Sequence, residues 1–230
     1  MTDPTRLRLA LVLDSDDLEA AAAVAKRAQQ WFGVAKVGLE LWSAAGIDAV
    51  TRLQDLGFAV FLDVKLHDIP NQVRRASRVL GRLGLGYLNA HASGGPAMMS
   101  AFVEGARAGA ADANVAPPKL LGVTVLTSDA DTSTFPARLA TAAAAGCDGV
   151  VCSGHEIAEV KSAYPTLITM VPGVRLAETD RDDQVRVVTP ADAIRAGGDV
   201  LVIGRTVTHA DDLELAAQRV YDEVAQATVN

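Results

Sequence analysis

The stretch FLDVKLHDIPNQV places Asp63, Lys65 and Asp68 within six positions, directly after residues that read as a buried strand. Ionised groups are costly to bury unless they are paired. Side chains alternate along a strand, so Asp63 and Lys65 share a face with Phe61, while Leu62, Val64 and Leu66 face the other way. Lys36 in VAKVG and Asp14 at the end of LRLALVLD add two more charges at strand ends. Lys36, Asp63 and Lys65 can converge, with Asp68 in the loop beyond, in the order Lys, Asp, Lys, Asp. Opposite unit charges at 4 Å attract by about 4 kcal/mol at an effective dielectric near 20. Such pairing keeps a partly buried Lys65 protonated against desolvation, and a lysine held cationic in a pocket can act as a general acid.

The elements that must position these groups alternate along the chain. Strand-like runs are LRLALVLD (7–14), VAKVG (34–38), AVFLDVKL (59–66), YLNAHA (87–92), LLGVTVLT (120–127), GVVCS (149–153), LITMVPG (167–173) and VLVIG (200–204). Amphipathic segments such as DLEAAAAVAKRAQQWF, PNQVRRASRVLGRLG, PADAIRAGG and DDLELAAQRVYDEVAQA lie between or after them. Eight βα units over residues 1–230 point to one α/β domain, a (β/α)8 TIM barrel. A doubly wound open sheet is the alternative, but its first turn is normally glycine-rich, and LDSDD has no glycine. In a barrel, active-site residues sit at the C-terminal ends of strands. Asp14, Lys36, Asp63, Lys65, His91, Thr127, Pro172 and the Gly204-Arg205 pair all fall there.

Three readings of the charges remain open on spacing alone. They can form a catalytic array, a salt-bridge network closing the barrel top, or, through Asp14, Asp63 and Asp68, an oxygen-ligand metal site. Interleaved lysines disfavour the last by repelling a cation. The IGR at 203–205 offers a glycine for close backbone approach and a guanidinium for bidentate phosphate contact; the alternative is a plain surface arginine.

The bulk properties limit the partners. A net charge of −7 argues against nucleic acid or an anionic membrane surface, so an anionic ligand needs a local basic site. MTDPTRLRLA does not read as a signal peptide, and no apolar run approaches the roughly 18–20 residues of a membrane span. Cys147 and Cys152 are too few for a zinc site or disulfide framework and point to a cytoplasmic setting. No cofactor motif is present.

The run DVKLHDIPNQV resembles the D-x-K-x-x-D-I-P-N signature of the orotidine 5′-monophosphate decarboxylase family. LVLD, KVGLEL, HASGG, VTVLTS, VPGVR, DDQ, the TP of VVTPADAI and VIGR agree with it in order along the whole chain. The resemblance implies a cofactor-free and metal-free decarboxylase, a homodimer acting on a nucleotide. It implies that Lys36, Asp63, Lys65 and Asp68 form the catalytic array, with Asp68 reaching across from the second subunit. Lys65 is then the proton donor to ring carbon six. Asp14 and Lys36 would bind the ribose, and Thr127 the pyrimidine. Gln184, Gly204 and Arg205 would hold the 5′-phosphate. Ile69, Gln72, Pro172 and Arg175 complete the implied substrate-binding set, and residues 175–186 form a polar lid. Gln72 departs from the threonine usual after DIPN.

The remaining polar residues have plainer readings. His67 reads as structural and His91 as a support for the charged network. His155 and His209 read as helix-opening surface residues, Cys152 as core, and the glycines of GRLGLG as helix caps.

Overall fold

The computed structural model describes residues 3–176 and 187–229. The chain begins with a short helix, α1 (Pro4–Leu7), and then β1 (Leu9–Leu13), α2 (Leu18–Ala28) and β2 (Val34–Val37). Two helices, α3 (Leu39–Ala45) and α4 (Ile47–Asp55), precede β3 (Ala59–Leu66). The middle of the chain carries α5 (Pro70–Gly81), β4 (Tyr87–His91), α6 (Gly95–Ala113), β5 (Lys119–Val123), α7 (Phe135–Ala144) and β6 (Gly149–Val151). It finishes with α8 (Ile157–Ala163), β7 (Ile168–Val171), α9 (Pro190–Arg195), β8 (Val200–Ile203), α10 (Arg205–Thr208) and α11 (Leu213–Val229). The strands pair in parallel in chain order and β8 closes on β1, giving the (β/α)8 barrel expected from the alternation.

Both faces of the strands are covered, which is why they read as near-continuous apolar runs. The barrel interior is filled by Ala10, Val34, Phe61, Leu121, Met170, Val200 and Val202. Phe61 meets Tyr87 edge to face, with ring centroids 6.1 Å apart. The outer faces, such as Leu9, Leu11, Val60, Leu62 and Leu88, join the larger core beneath the helices. At the N-terminal end of the barrel Asp199 accepts from Lys161 Nζ, Thr169 N and Thr169 Oγ1, so the charge there is tied into a β7–β8 clasp.

Several boundaries differ from the sequence reading. Leu7 belongs to α1, not to the first strand, because Asp3 caps the helix and Pro4 starts it. The fifth strand ends at Val123, not Thr127. Arg138 Nη1 takes the Thr124 carbonyl at 2.7 Å, and the segment turns at Leu126–Asp129. His209 ends α10 instead of opening a helix.

The GRLGLG glycines also do more than cap. Gly84 has a φ of +64° past the end of α5, as a capping glycine should. Gly81, however, packs where a Cβ would lie 2.2 Å from the Ala106 carbonyl oxygen. Gly105 and Gly109 make the same close approach to Arg74 and Arg78. Glycine is thus what lets α5 and α6 touch backbone to backbone, and α5 starts two residues after Asp68. Among the described residues, no helix is long and apolar enough to cross a membrane.

Candidate active site

Four charged side chains meet at the C-terminal mouth of the barrel. Lys36 Nζ lies 3.2 Å from Asp14 Oδ1 and 3.5 Å from Asp63 Oδ2, and Lys65 Nζ lies 2.7 Å from Asp63 Oδ1. The side chains of Lys36 and Asp63 are 11% and 12% exposed, against 54% for Asp14, so the centre of the array is nearly dry. Burial raises the Asp63 carboxyl, but Lys36, Lys65 and the hydrogen bonds from Lys65 and Asn89 outweigh it and hold it below its ordinary 3.8. Two cations and a donated hydrogen bond therefore win over desolvation.

The local backbone explains how Lys65 reaches Asp63. Between the Leu62–Leu88 and Leu66–Ala90 pairs, Asp63, Val64 and Lys65 stand against the single residue Asn89, a bulge in β3. Lys65 adopts a left-handed φ of 50° within it. Two extra residues preserve the side-chain parity, so the expected convergence occurs even though the strand is not regular. Asn89, on the inward face of β4 between Tyr87 and His91, accepts from Lys65 N at 2.8 Å and donates to Asp63 Oδ1 at 2.7 Å.

A cavity of about 750 Å³ opens above the array. Of the residues singled out in the sequence, Asp14, Lys36, Asp63, Lys65, Thr127, Pro172, Arg175, Gly204 and Arg205 line it. Its apolar wall includes Val125, Leu126 and Val174. The cavity is the size of a small-molecule site, and charged and polar side chains share its wall with the apolar ones.

The Orotidine 5′-phosphate decarboxylase / HUMPS family matches residues 7–220 of the chain. The chain belongs to this family. Among its relatives, an orotidine 5′-phosphate decarboxylase of Moorella thermoacetica is 42% identical, over 94% of this chain and 92% of the relative. That of Nitratidesulfovibrio vulgaris is 44% identical, over 94% and 97%. The crystal structure of orotidine 5′-phosphate decarboxylase from Lactobacillus acidophilus superposes with a TM-score of 0.80 at 31% identity, over 94% of this chain and 98% of that one.

Asp68 and Gln72, expected to reach a neighbouring subunit, lie away from this chain's own array, as does Ile69, while Arg175 departs from the segment read as a lid. Within one chain the charges alternate Asp14, Lys36, Asp63, Lys65; Asp68 is exposed, and its Oδ1 accepts from Ile69 N at 2.6 Å. Ile69 and Gln72 are exposed as well, and none of the three lines the cavity. Arg175 belongs to the anchored base of the segment read as a lid, being 6% exposed with its backbone N–H donating to Val188. Gln184 and the lid residues 177–186 lie outside the described residues.

Other residues escaped the sequence reading. Gly38 sits where a Cβ would fall 2.6 Å from Asp14 Oδ1 and 2.9 Å from Lys36 Nζ, so a bare backbone leaves room for that pair. Glu40 lines the cavity, as does His209, which was read from the sequence as a surface residue. Asn89 had one legible signal, an amide in the middle of the apolar run YLNAH. His91 is half-buried with its ring 5.4 Å from that of His67. Burial first, then His67 and Lys65, push His91 below its ordinary 6.5. Cys147 is far from this chemistry: burial and Asp148 push its thiol up to about 12.

Proposed function

We propose that the chain decarboxylates orotidine 5′-phosphate to uridine 5′-phosphate and carbon dioxide, a step of pyrimidine biosynthesis. The observation that carries this reading is the Asp14–Lys36–Asp63–Lys65 array at the cavity, in a member of a family whose relatives bear that name. In the reaction the bond from ring carbon six to the carboxylate breaks and its electron pair stays on the carbon. The Lys65 ammonium stabilises that charge and gives it a proton, which Lys65 later regains from solvent. Asp63 fixes the ammonium, and Lys36 balances Asp63. Asp14 and Lys36 bind the ribose hydroxyls, while Thr127 and Pro172 border the pyrimidine.

The 5′-phosphate is held by Arg205 and the backbone N–H groups around Gly204 after β8, with Arg175 and Gln184 on the segment after β7. Phosphate sites in barrels commonly lie at these two positions. Binding the remote phosphate supplies free energy that can be used at the reacting carbon. The enzyme acts as a cytoplasmic homodimer, each subunit presenting Asp68, Ile69 and Gln72 to its neighbour's cavity. Support for this comes from their exposure around the start of α5, with Ile69 63% exposed.

Turnover of orotidine 5′-phosphate by the purified protein in EDTA tests the reading. Full activity is expected. Activity that vanishes with EDTA and returns with magnesium, on a sugar phosphate instead, would replace it with a metal-dependent reaction on the same barrel.

A further inference from the structure

We propose that Asn89 is a positioning residue for the reaction: its amide sets the backbone of Lys65 and the carboxylate of Asp63 in one step. This rests on the decarboxylase reading above.

The amide faces two groups that fix its orientation without ambiguity. The Lys65 N–H can only donate, so it must meet Oδ1, and the Asp63 carboxylate can only accept, so it must meet Nδ2. Asn89 is fully buried and does not line the cavity, so it does not touch substrate. A left-handed lysine is strained, and such a conformation persists where the surroundings over-determine it. Here the bulge leaves the Lys65 N–H opposite Asn89 instead of a strand carbonyl. Without the amide, that N–H and one side of the Asp63 carboxylate are left without this partner in a dry place. The bulge can then relax toward regular strand geometry and carry the ammonium away from the reacting carbon.

Replacing Asn89 with Ala is the first test, read by kcat and KM for orotidine 5′-phosphate, uridine 5′-phosphate affinity and thermal midpoint. A misplacement of about 1 Å in a catalytic group costs roughly a hundredfold, so kcat is expected to fall by about that factor while product affinity stays within about threefold.

Asn89→Asp keeps the volume and the acceptor for Lys65 N–H but sets a second carboxyl against Asp63. The charged groups around that position are Asp63 and Lys65 on β3, Lys36 on β2, and His91, with His67 and Arg138 beyond it. Two carboxyls in contact share one proton, which restores the lost donor. The kcat of Asn89→Asp is therefore expected to be highest at acid pH and to fall as that proton leaves, a limb absent from the parent. A parent without turnover would overturn the functional reading, and the Asn89 role with it. An active parent with both variants within about threefold of its kcat would overturn the Asn89 role alone. A parallel loss of kcat, product affinity and thermal midpoint, with no new pH limb, would make Asn89 merely structural and also overturn it.

Discussion

Lys65 and Asp63 are two residues apart on one strand, yet their charged atoms meet at 2.7 Å through a bulge with Lys65 in the left-handed region. The pair shares the strand face that alternation gives it, and the bulge with its left-handed Lys65 shapes how closely the two meet. Asp63 is in turn shared with Lys36, so loss of its charge loosens both lysines at once.

That sharing gives a pH dependence with a defined sign. The folded Asp63 carboxyl is held below its ordinary 3.8, so its stabilising contribution is present above that value and lost as pH falls through the lower folded one. Urea denaturation of the parent and of Asp63→Asn, from neutral to acid pH, should show a stability gap that is constant above about pH 5 and narrows below about pH 4. A gap that widened on acidification would contradict this placement of Asp63.

Asp68 has no ion pair among the described residues and lies outside its own chain's cavity. If it serves a neighbour, an Asp68→Ala chain and a Lys65→Ala chain, each inactive alone, should complement when mixed. Random pairing makes half the dimers mixed, each with one intact site, so about a quarter of the parent activity is expected. No recovery after verified subunit exchange would count against shared sites.

The close contact of α5 and α6 should be sensitive to a single methyl group. A Cβ at Gly109 would lie 1.9 Å from the Arg78 carbonyl oxygen, which is backbone and cannot rotate away. Gly109→Ala is expected to lower stability by roughly 1–3 kcal/mol, measured by chemical denaturation. Because α5 follows Asp68, its activity should fall more than that of an exposed α5 substitution such as Arg75→Ala.

Much of the site was legible because a barrel ties function to strand ends. Asp14, Lys36, Asp63, Lys65 and the Gly204-Arg205 pair were placed by alternation and position and line one cavity; Thr127 lines it too, but from the turn beyond β5 and not from a strand end. The bulge was not legible: nothing in AVFLDVKL marks the extra residues, which follow from pairing with β4. The end of β5 was hidden for a similar reason, since the guanidinium that takes the Thr124 carbonyl comes from Arg138, fourteen residues on. Gly38 and Asn89 act by leaving space and by holding a neighbour. Residue type alone does not announce either role.

The most direct measurement is single-turnover decarboxylation of orotidine 5′-phosphate by Lys65→Ala, with uridine 5′-phosphate affinity measured in parallel. Lys65 is assigned both the proton and the stabilising charge, so the rate should fall by at least about a thousandfold while product affinity changes by less than about tenfold. A variant rate within about tenfold of the parent, with product still bound, would mean that the proton comes from elsewhere.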